Sequence, residues 1–266
     1  MKRNRKSAGF SLLEILFVVA ILTLVMGTVF RQIDSVQKSS RTEDQKMDMV
    51  QRGREFVDQF VRDIHQSGYP TMAMYAPGTL ASTPANDFRV AVGLVKYSYD
   101  EVWFEGDVNG DGAVESIDYK LQPGATGHCP CTVARSEVAK ANGTAPTAQN
   151  ISYSMEVDEV INSGGANGGS TDVGTYTIDG TTNIGAGTQS NDTAFAAYKN
   201  QNLFTAFDVN GNPVLPADYS TPGGQTTLAS IKTIRVNVNF LARYRDMQTG
   251  SRAVIPLAAA AAVGNN

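Results

Sequence analysis

Three places in the sequence combine residue types and spacings that could do chemistry. The first runs Asp107-Val108-Asn109-Gly110-Asp111-Gly112-Ala113-Val114-Glu115-Ser116-Ile117-Asp118 and alternates oxygen donors in the order of an EF-hand calcium loop. Asp107, Asn109 and Asp111 offer side-chain oxygens, Ala113 a backbone carbonyl, and Glu115 a direct or water-borne carboxylate. Gly112 supplies the turn, and Asp118 stands where a longer Glu usually closes such a loop. Calcium is the cofactor this pattern predicts. The competing reading is a plain acidic hairpin, since Asn-Gly and Asp-Gly favour turns. The second place, His128-Cys129-Pro130-Cys131, gathers three soft ligands without an evident fourth for zinc or copper. Outside the cytoplasm Cys129 and Cys131 could instead form a local or intermolecular disulfide, strained between residues two apart, or stay free thiols. The third is Glu14, an acid inside an apolar run. With only His65 and His128 in the chain, and no Ser-His-Asp set, phosphate loop or zinc-protease motif, catalysis is not expected.

The elements that must position these residues follow from periodicity. From residue 10 to residue 30 the chain is almost wholly apolar, about 31 Å as a helix and enough to cross a hydrocarbon core. Beyond it Ile33, Val36, Met47, Val50, Val57, Phe60 and Ile64 keep helical spacing among charged neighbours, with Ser40, Glu43 and Gly53 filling the same stripe less well. The pattern predicts one helix over residues 10–67, with an amphipathic part over 31–67, ending at Gly68-Tyr69-Pro70. Gly27 and Gly53 are candidate bends. The weak middle of the stripe favours packing on a sheet over a coiled coil. After Pro70 the period falls to two, and residues 88–99, 102–105, 114–121, 151–157 and 231–244 read as strands. One long helix followed by strands predicts an α+β domain over 70–257 with an antiparallel sheet. Residues 141–200 are rich in Gly, Thr and Asn and read as an insertion, and residues 258–266 as a flexible tail. The stretch around Asn210-Gly211 reads as a hairpin turn.

Glu14 carries the strongest functional implication. An unpaired carboxylate in hydrocarbon costs about 2.5–3.5 kcal/mol on insertion scales, so it calls for a positive partner. Four basic residues, Lys2, Arg3, Arg5 and Lys6, precede the apolar run and hold that end in the cytoplasm, which places the rest outside. Small residues, Ser7-Ala8-Gly9, lie before the run rather than after it, unlike a conventional signal peptide. A cut between Gly9 and Phe10 removes the charges, keeps the helix and creates an α-amino group four residues before Glu14. Staggered copies could then pair the amine of one with Glu14 of the next, penalising every register that leaves either charge alone. The full chain has a formal charge of −4; without its leader it keeps 18 of 22 basic residues against 26 acidic ones. That balance argues against nucleic acid as a partner.

The string Lys6-Ser7-Ala8-Gly9-Phe10-Ser11-Leu12-Leu13-Glu14 resembles the prepilin signal of type IV pilins and type II secretion pseudopilins. The resemblance implies a cleaved leader over residues 1–9, cutting by a prepilin peptidase after Gly9 and N-methylation of Phe10. It also implies a need for Glu14 in assembly with other pilin or pseudopilin subunits. The chain would sit in the inner membrane as a single pass with its C-terminal domain outside, and later in a fibre. The Arg62-to-Tyr69 helix end and the Ile234-Arg235-Val236 strand are similar to larger minor pilins (PilW-like) and to J-class pseudopilins. The expected role is a minor pilin-like structural subunit of a type IV pilus or related fibre. The alternatives are a type II secretion pseudopilin and a tip adhesin.

Overall fold

The computed structural model describes residues 11–122, 130–162, 176–178, 182–184, 201–242 and 252–264. It has the expected α+β form, one long helix followed by an antiparallel sheet. Helix α1 spans Leu12–His65, 54 residues or about 81 Å. It continues unbroken through Gly27 and Gly53, so neither glycine bends the chain out of the helix. It ends where Gln66 N donates to the Asp63 carbonyl, Ser67 N donates to the Ile64 carbonyl and Gly68 takes a φ of 79°, a conformation glycine adopts without strain.

The strands are β1 Leu94–Tyr97, β2 Glu101–Gly106, β3 Glu115–Gln122, β4 Cys131–Ala139, β5 Tyr153–Val160, β6 Tyr176–Ile178, β7 Thr182–Ile184, β8 Phe204–Phe207, β9 Ala217–Asp218, β10 Thr233–Leu241 and β11 Val254–Ala262, with a short helix α2 at Gly224–Ser230. The main sheet runs β11-β10-β5-β4-β3-β2-β1-β9, while β6 and β7 pair with each other. Strand β10 meets β11 along its whole length on one edge. On the other edge β8 occupies Thr233 to Val236 and β5 joins at Phe240, so the sheet curls there. The insertion starts later than expected, because β5 belongs to the main sheet. Its two ends are pinned on β10. Asn162 donates to the Asn237 carbonyl at 2.7 Å and accepts from Asn239 N at 2.8 Å. The Gln201 side chain accepts from the amides of Asn237 and Asn239.

The outer quarter of α1 forms the core with the concave side of this sheet. Phe60 is fully buried, stacks on Phe204 at 5.3 Å and meets Tyr119 edge-on at 5.2 Å. The predicted stripe is right at Gly53 and from Val57 to Ile64, and wrong at Met47 and Val36. Met49, Gly53 and Phe56 face the sheet, whereas Met47, at 69% exposed, and Val36, at 68%, face outward. A phase through Met47 and Val50 fits the apolar spacing, but Met49 and Gly53 continue the line from Phe56 and Phe60 equally well. Gly53 has no side chain to mark the stripe. Its smallness is what the packing requires, since a Cβ there would overlap Leu257 and press on Phe240.

The expected flexible tail is instead part of the sheet. Residues 258–262 complete β11, which pairs with β10 from Thr233↔Ala262 to Leu241↔Val254. Alanines are poor strand formers by propensity, but small side chains let α1 approach this edge closely. Gly264 then donates to the Ile64 carbonyl at 3.2 Å, tying the chain's end to the end of the helix. Strand β4 has no counterpart among the expected strands, and the first expected strand shrinks to Leu94–Tyr97 because residues 72–91 leave the sheet as a loop. A buried ion pair clips that loop down. Lys140 donates to Glu105 at 2.6 Å and to the Ala85 and Val90 carbonyls at 2.7 Å each, with both charged side chains fully buried. Burial pushes the Glu105 carboxyl up and the Lys140 amine down, against their mutual attraction. Removing one member of such a pair costs about 3–5 kcal/mol, because the other charge stays buried.

The close approach of α1 and β11 gives a direct test. Gly53→Val should destabilise the chain by about 1–3 kcal/mol through overpacking, whereas Gly27→Ala, where a Cβ meets nothing within 4 Å, should not. Chemical denaturation in detergent measures both.

Candidate functional site

Two features at opposite ends of α1 concentrate the residues that could act. At the inner end, Ser11 leads into the helix and its carbonyl accepts from Glu14 N at 3.0 Å, so Glu14 lies in the first turn. None of the described residues buries it. Leu12 and Leu13 beside it are 81% and 77% exposed, and no residue from Leu12 to Asp48 is buried. This stretch contains a membrane-length window of mean hydropathy 2.6 with none of it buried inside the chain. Its two threonines within the apolar run bond the helix itself. The Thr23 and Thr28 hydroxyls donate to the Val19 and Val25 carbonyls at 2.7 Å, as a hydroxyl in lipid requires. Beyond residue 30, Asp34 with Lys38, Glu43 with Lys46, and Asp48 with Arg52 pair along the helix at 2.6–2.8 Å. Such exposed pairs contribute only a few tenths of a kcal/mol each, so they solvate the face more than they hold it. Gly9 and Phe10, the expected cleavage and methylation positions, lie outside the described residues.

What fixes the helix on its domain is a buried polar cluster that periodicity and motif spacing do not reveal. Asp63 accepts from the Tyr119 hydroxyl at 2.6 Å and from Arg135 at 2.9 Å. Arg135 also bonds Glu137, and its guanidinium stacks over the Tyr119 ring. Burial and the charge of Asp63 hold the Tyr119 hydroxyl well above its ordinary range, so it remains a donor. The available signal is an acid at position 63 on the apolar stripe between Phe60 and Ile64.

At the outer end, the acidic turn joins β2 to β3 directly beside the last turn of α1. Gly68 N donates to the Glu105 carbonyl, and Asp107 N to the Tyr69 carbonyl. Within the turn, Asp107 accepts from Gly110 N at 2.7 Å and Gly112 N at 2.9 Å; Asn109 accepts from Asp111 N, and Asp111 from Ala113 N. Glu115 folds back to accept from Val108 N and the Asn109 amide. Burial, with Asp111 and Asp107 nearby, pushes the Glu115 carboxyl up. Asp107, Asn109, Asp111 and Glu115 are therefore brought together around the turn. Asp118 is not. It lies inside β3, opposite Trp103 and Ser136, and bonds Tyr153. Helical EF-hand geometry would bring a twelfth residue back to the loop; an extended strand carries it about 10 Å away. Among the described residues no group of three His, Cys, Asp or Glu side chains already stands as a metal cage, since these carboxylates bond the turn's own amides.

Cys131 opens β4, fully buried and disulfide-bonded. Cys129 and His128 lie outside the described residues. His65 closes the last turn of α1 at the surface.

Residues 4–30 match the family model of the prokaryotic N-terminal methylation motif. No curated protein and no solved structure matches the chain. The match takes in Arg5 and Lys6 of the leader, the Gly9-Phe10 junction, Glu14 and the bare apolar run. The chain thus carries a prepilin-type signal at the head of a membrane-length helix and is pilin-like in its N-terminal organisation.

Proposed function

We propose that this chain is a minor pilin-like structural subunit that enters, or primes, a type IV pilus or related fibre, and that it is not an enzyme. The observation that carries this reading is the methylation motif joined to a helix that its own domain leaves bare from Leu12 to Asp48. A helix apolar all round is stable in water only when something covers it. Lipid covers it before assembly, and the helices of other subunits cover it in a fibre. Glu14 then meets the Phe10 amine of a neighbour, and cleavage by a prepilin peptidase is what creates that amine. The curled domain, clamped to α1 through Asp63 and the β11 edge, rides on the outside of the fibre.

The experiment is recovery of sheared fibres from cells carrying the wild-type chain or Glu14→Ala. The wild-type chain should appear there with N-methylated Phe10 as its first residue by mass spectrometry. Glu14→Ala should stay in the membrane fraction with its domain folded, its fibre content down at least tenfold. That is the effect of losing about 1.4 kcal/mol or more at each register choice. Wild-type amounts of the variant in fibres, or an intact Met1 in assembled material, would contradict the reading.

The acidic turn is the second part of the proposal, as a calcium site completed by Glu115 rather than Asp118. Asp107, Asn109, Asp111, the Ala113 carbonyl and Glu115 supply oxygens of the kind Ca²⁺ takes, and gathering three carboxylates in one turn, two of them buried, costs less with a cation among them. Calorimetry of the full chain in detergent should show calcium binding toward the 10⁻⁴ M range of extracellular modules. Saturation at 100 times the dissociation constant should add about 2.7 kcal/mol of stability. Asp111→Asn keeps an oxygen for Ala113 N but loses a charge, and should weaken binding about tenfold. An absence of heat from either calcium or magnesium would leave the segment as a self-bonded turn.

A further inference from the structure

Strand β11 ends the main sheet, and among the described residues no strand pairs with its outer edge. Ala242 N donates to the Ala253 carbonyl at 2.9 Å and Val263 N to the Lys232 carbonyl at 3.0 Å, so the odd-numbered residues of β11 turn their backbone groups to β10. Backbone direction alternates along an antiparallel strand, so the even-numbered residues turn theirs outward. Pro256 has no N–H to offer at its outward position, and the outward N–H of Gly264 is taken by the Ile64 carbonyl. Between them the N–H groups of Ala258, Ala260 and Ala262 stand in a row about 13 Å long, with the carbonyls of the same residues beside them. Their side chains are exposed. No charge guards this row, although natural sheets commonly blunt a long edge with lysine or a bulge.

The edge is one wall of a groove whose other wall is α1. Gly53 faces Leu257 of β11, while Arg52 reaches Asp158 of β5 and Asp63 reaches Arg135 of β4. At about 100° per residue, Val50, Arg54 and Val61 lie on the flank opposite Arg52 and Asp63, past the free edge of β11. Val50 and Val61 are half-buried, and Met47, a turn nearer the membrane, is exposed. Apolar side chains and unpaired amides in one groove are what an added strand covers together.

A second copy of this chain cannot fill the edge with its own. β11 and α1 run outward together, from Leu257 beside Gly53 to Gly264 on Ile64. Antiparallel pairing of two β11 edges would set the two α1 helices in opposite directions, which two chains anchored in one membrane cannot adopt. Parallel pairing about a two-fold axis sets N–H level with N–H, whereas a parallel ladder needs each outward residue between two of its partner's. The other edge strand, β9, has two residues and is too short to meet three donors. We propose that a neighbouring subunit of a different kind adds an extended segment of about five residues to β11 from Ala258 to Ala262, laying alternate apolar side chains on Val50 and Val61. This rests on the reading of the chain as an assembling subunit, since the groove runs on into the bare part of α1 that other subunits cover.

The test is hydrogen exchange at single amides, pulsed in native membranes and in sheared fibres and compared with the purified full chain in detergent. In the purified chain the amides of Ala258, Ala260 and Ala262 should exchange at least about tenfold faster than those of Ala259 and Ala261, which β10 holds. In at least one native fraction those three should slow by about tenfold or more. Ala260→Pro removes an outward donor and no bond to β10, as Pro256 already does. It should melt with the wild type, yet leave Ala258 and Ala262 unprotected in the native fractions. Amides that stay open in both membranes and fibres would overturn the proposal, as would protection already present in the purified chain or protection that survives Ala260→Pro. Should Ala260→Pro not fold, the wild-type comparison decides alone. Absence of the wild-type chain from fibres contradicts the structural-subunit reading instead, and the membrane fraction still decides this one.

Discussion

Helix α1 is far longer than the surface its own domain can offer it, and most of the structure answers to that mismatch. Only the residues from Met49 to Ile64 are covered by the chain itself. Along that part the packing is dense and specific. Gly53 lets the β11 edge come in, Phe56 and Phe60 fill the curl of the sheet, and Asp63 is held by Tyr119 and Arg135. Each of these interactions fixes the rotation of the helix about its axis and therefore fixes which residues remain outward further along. A helix phased by Phe60 and Asp63 presents Val36 and Met47 to the outside, available to whatever covers the bare segment.

The buried charges make this phasing unique. Apolar packing alone tolerates small slides of a helix along a sheet, since the surface uncovered on one side is matched by surface covered on the other. A buried Asp with two fixed donors does not. Any slide leaves Asp63 buried without its partners, at a cost of several kcal/mol. The Glu105–Lys140 pair does the same for the loop that closes the outer end, beside the acidic turn. The position of that turn relative to α1 thus depends on two ion pairs as well as on the bond from Asp107 N to the Tyr69 carbonyl.

Legibility in the sequence follows how locally each feature is encoded. The leader, Glu14 and the membrane-length helix are readable because charge, length and hydropathy act over adjacent residues. The α+β class and five of the eleven described strands are readable from a change of period. The stripe on α1 is easily misphased because the residue that permits close packing, Gly53, contributes no hydrophobicity. Strand β11 reads as a tail because alanine favours helices locally, and only its partner β10 and the approaching helix make it a strand. Asp118 reads as part of the acidic turn because the EF-hand spacing assumes a helix after the loop. Here β3 follows and takes the residue to the opposite face of the sheet, into a site that no local pattern announces.

The central claim is that other subunits cover the part of α1 that this chain leaves bare. The most direct measurement places a photo-crosslinking residue at Val36, on the outward face beyond the membrane-length run, in cells that assemble fibres. Phe56, which the chain itself buries, serves as the control position. The account predicts adducts from position 36 to the helix of another pilin-like subunit, absent when assembly is blocked, and only intrachain adducts from position 56. Adducts from position 36 to lipid alone, or to this chain's own domain, under conditions where fibres form, would contradict it.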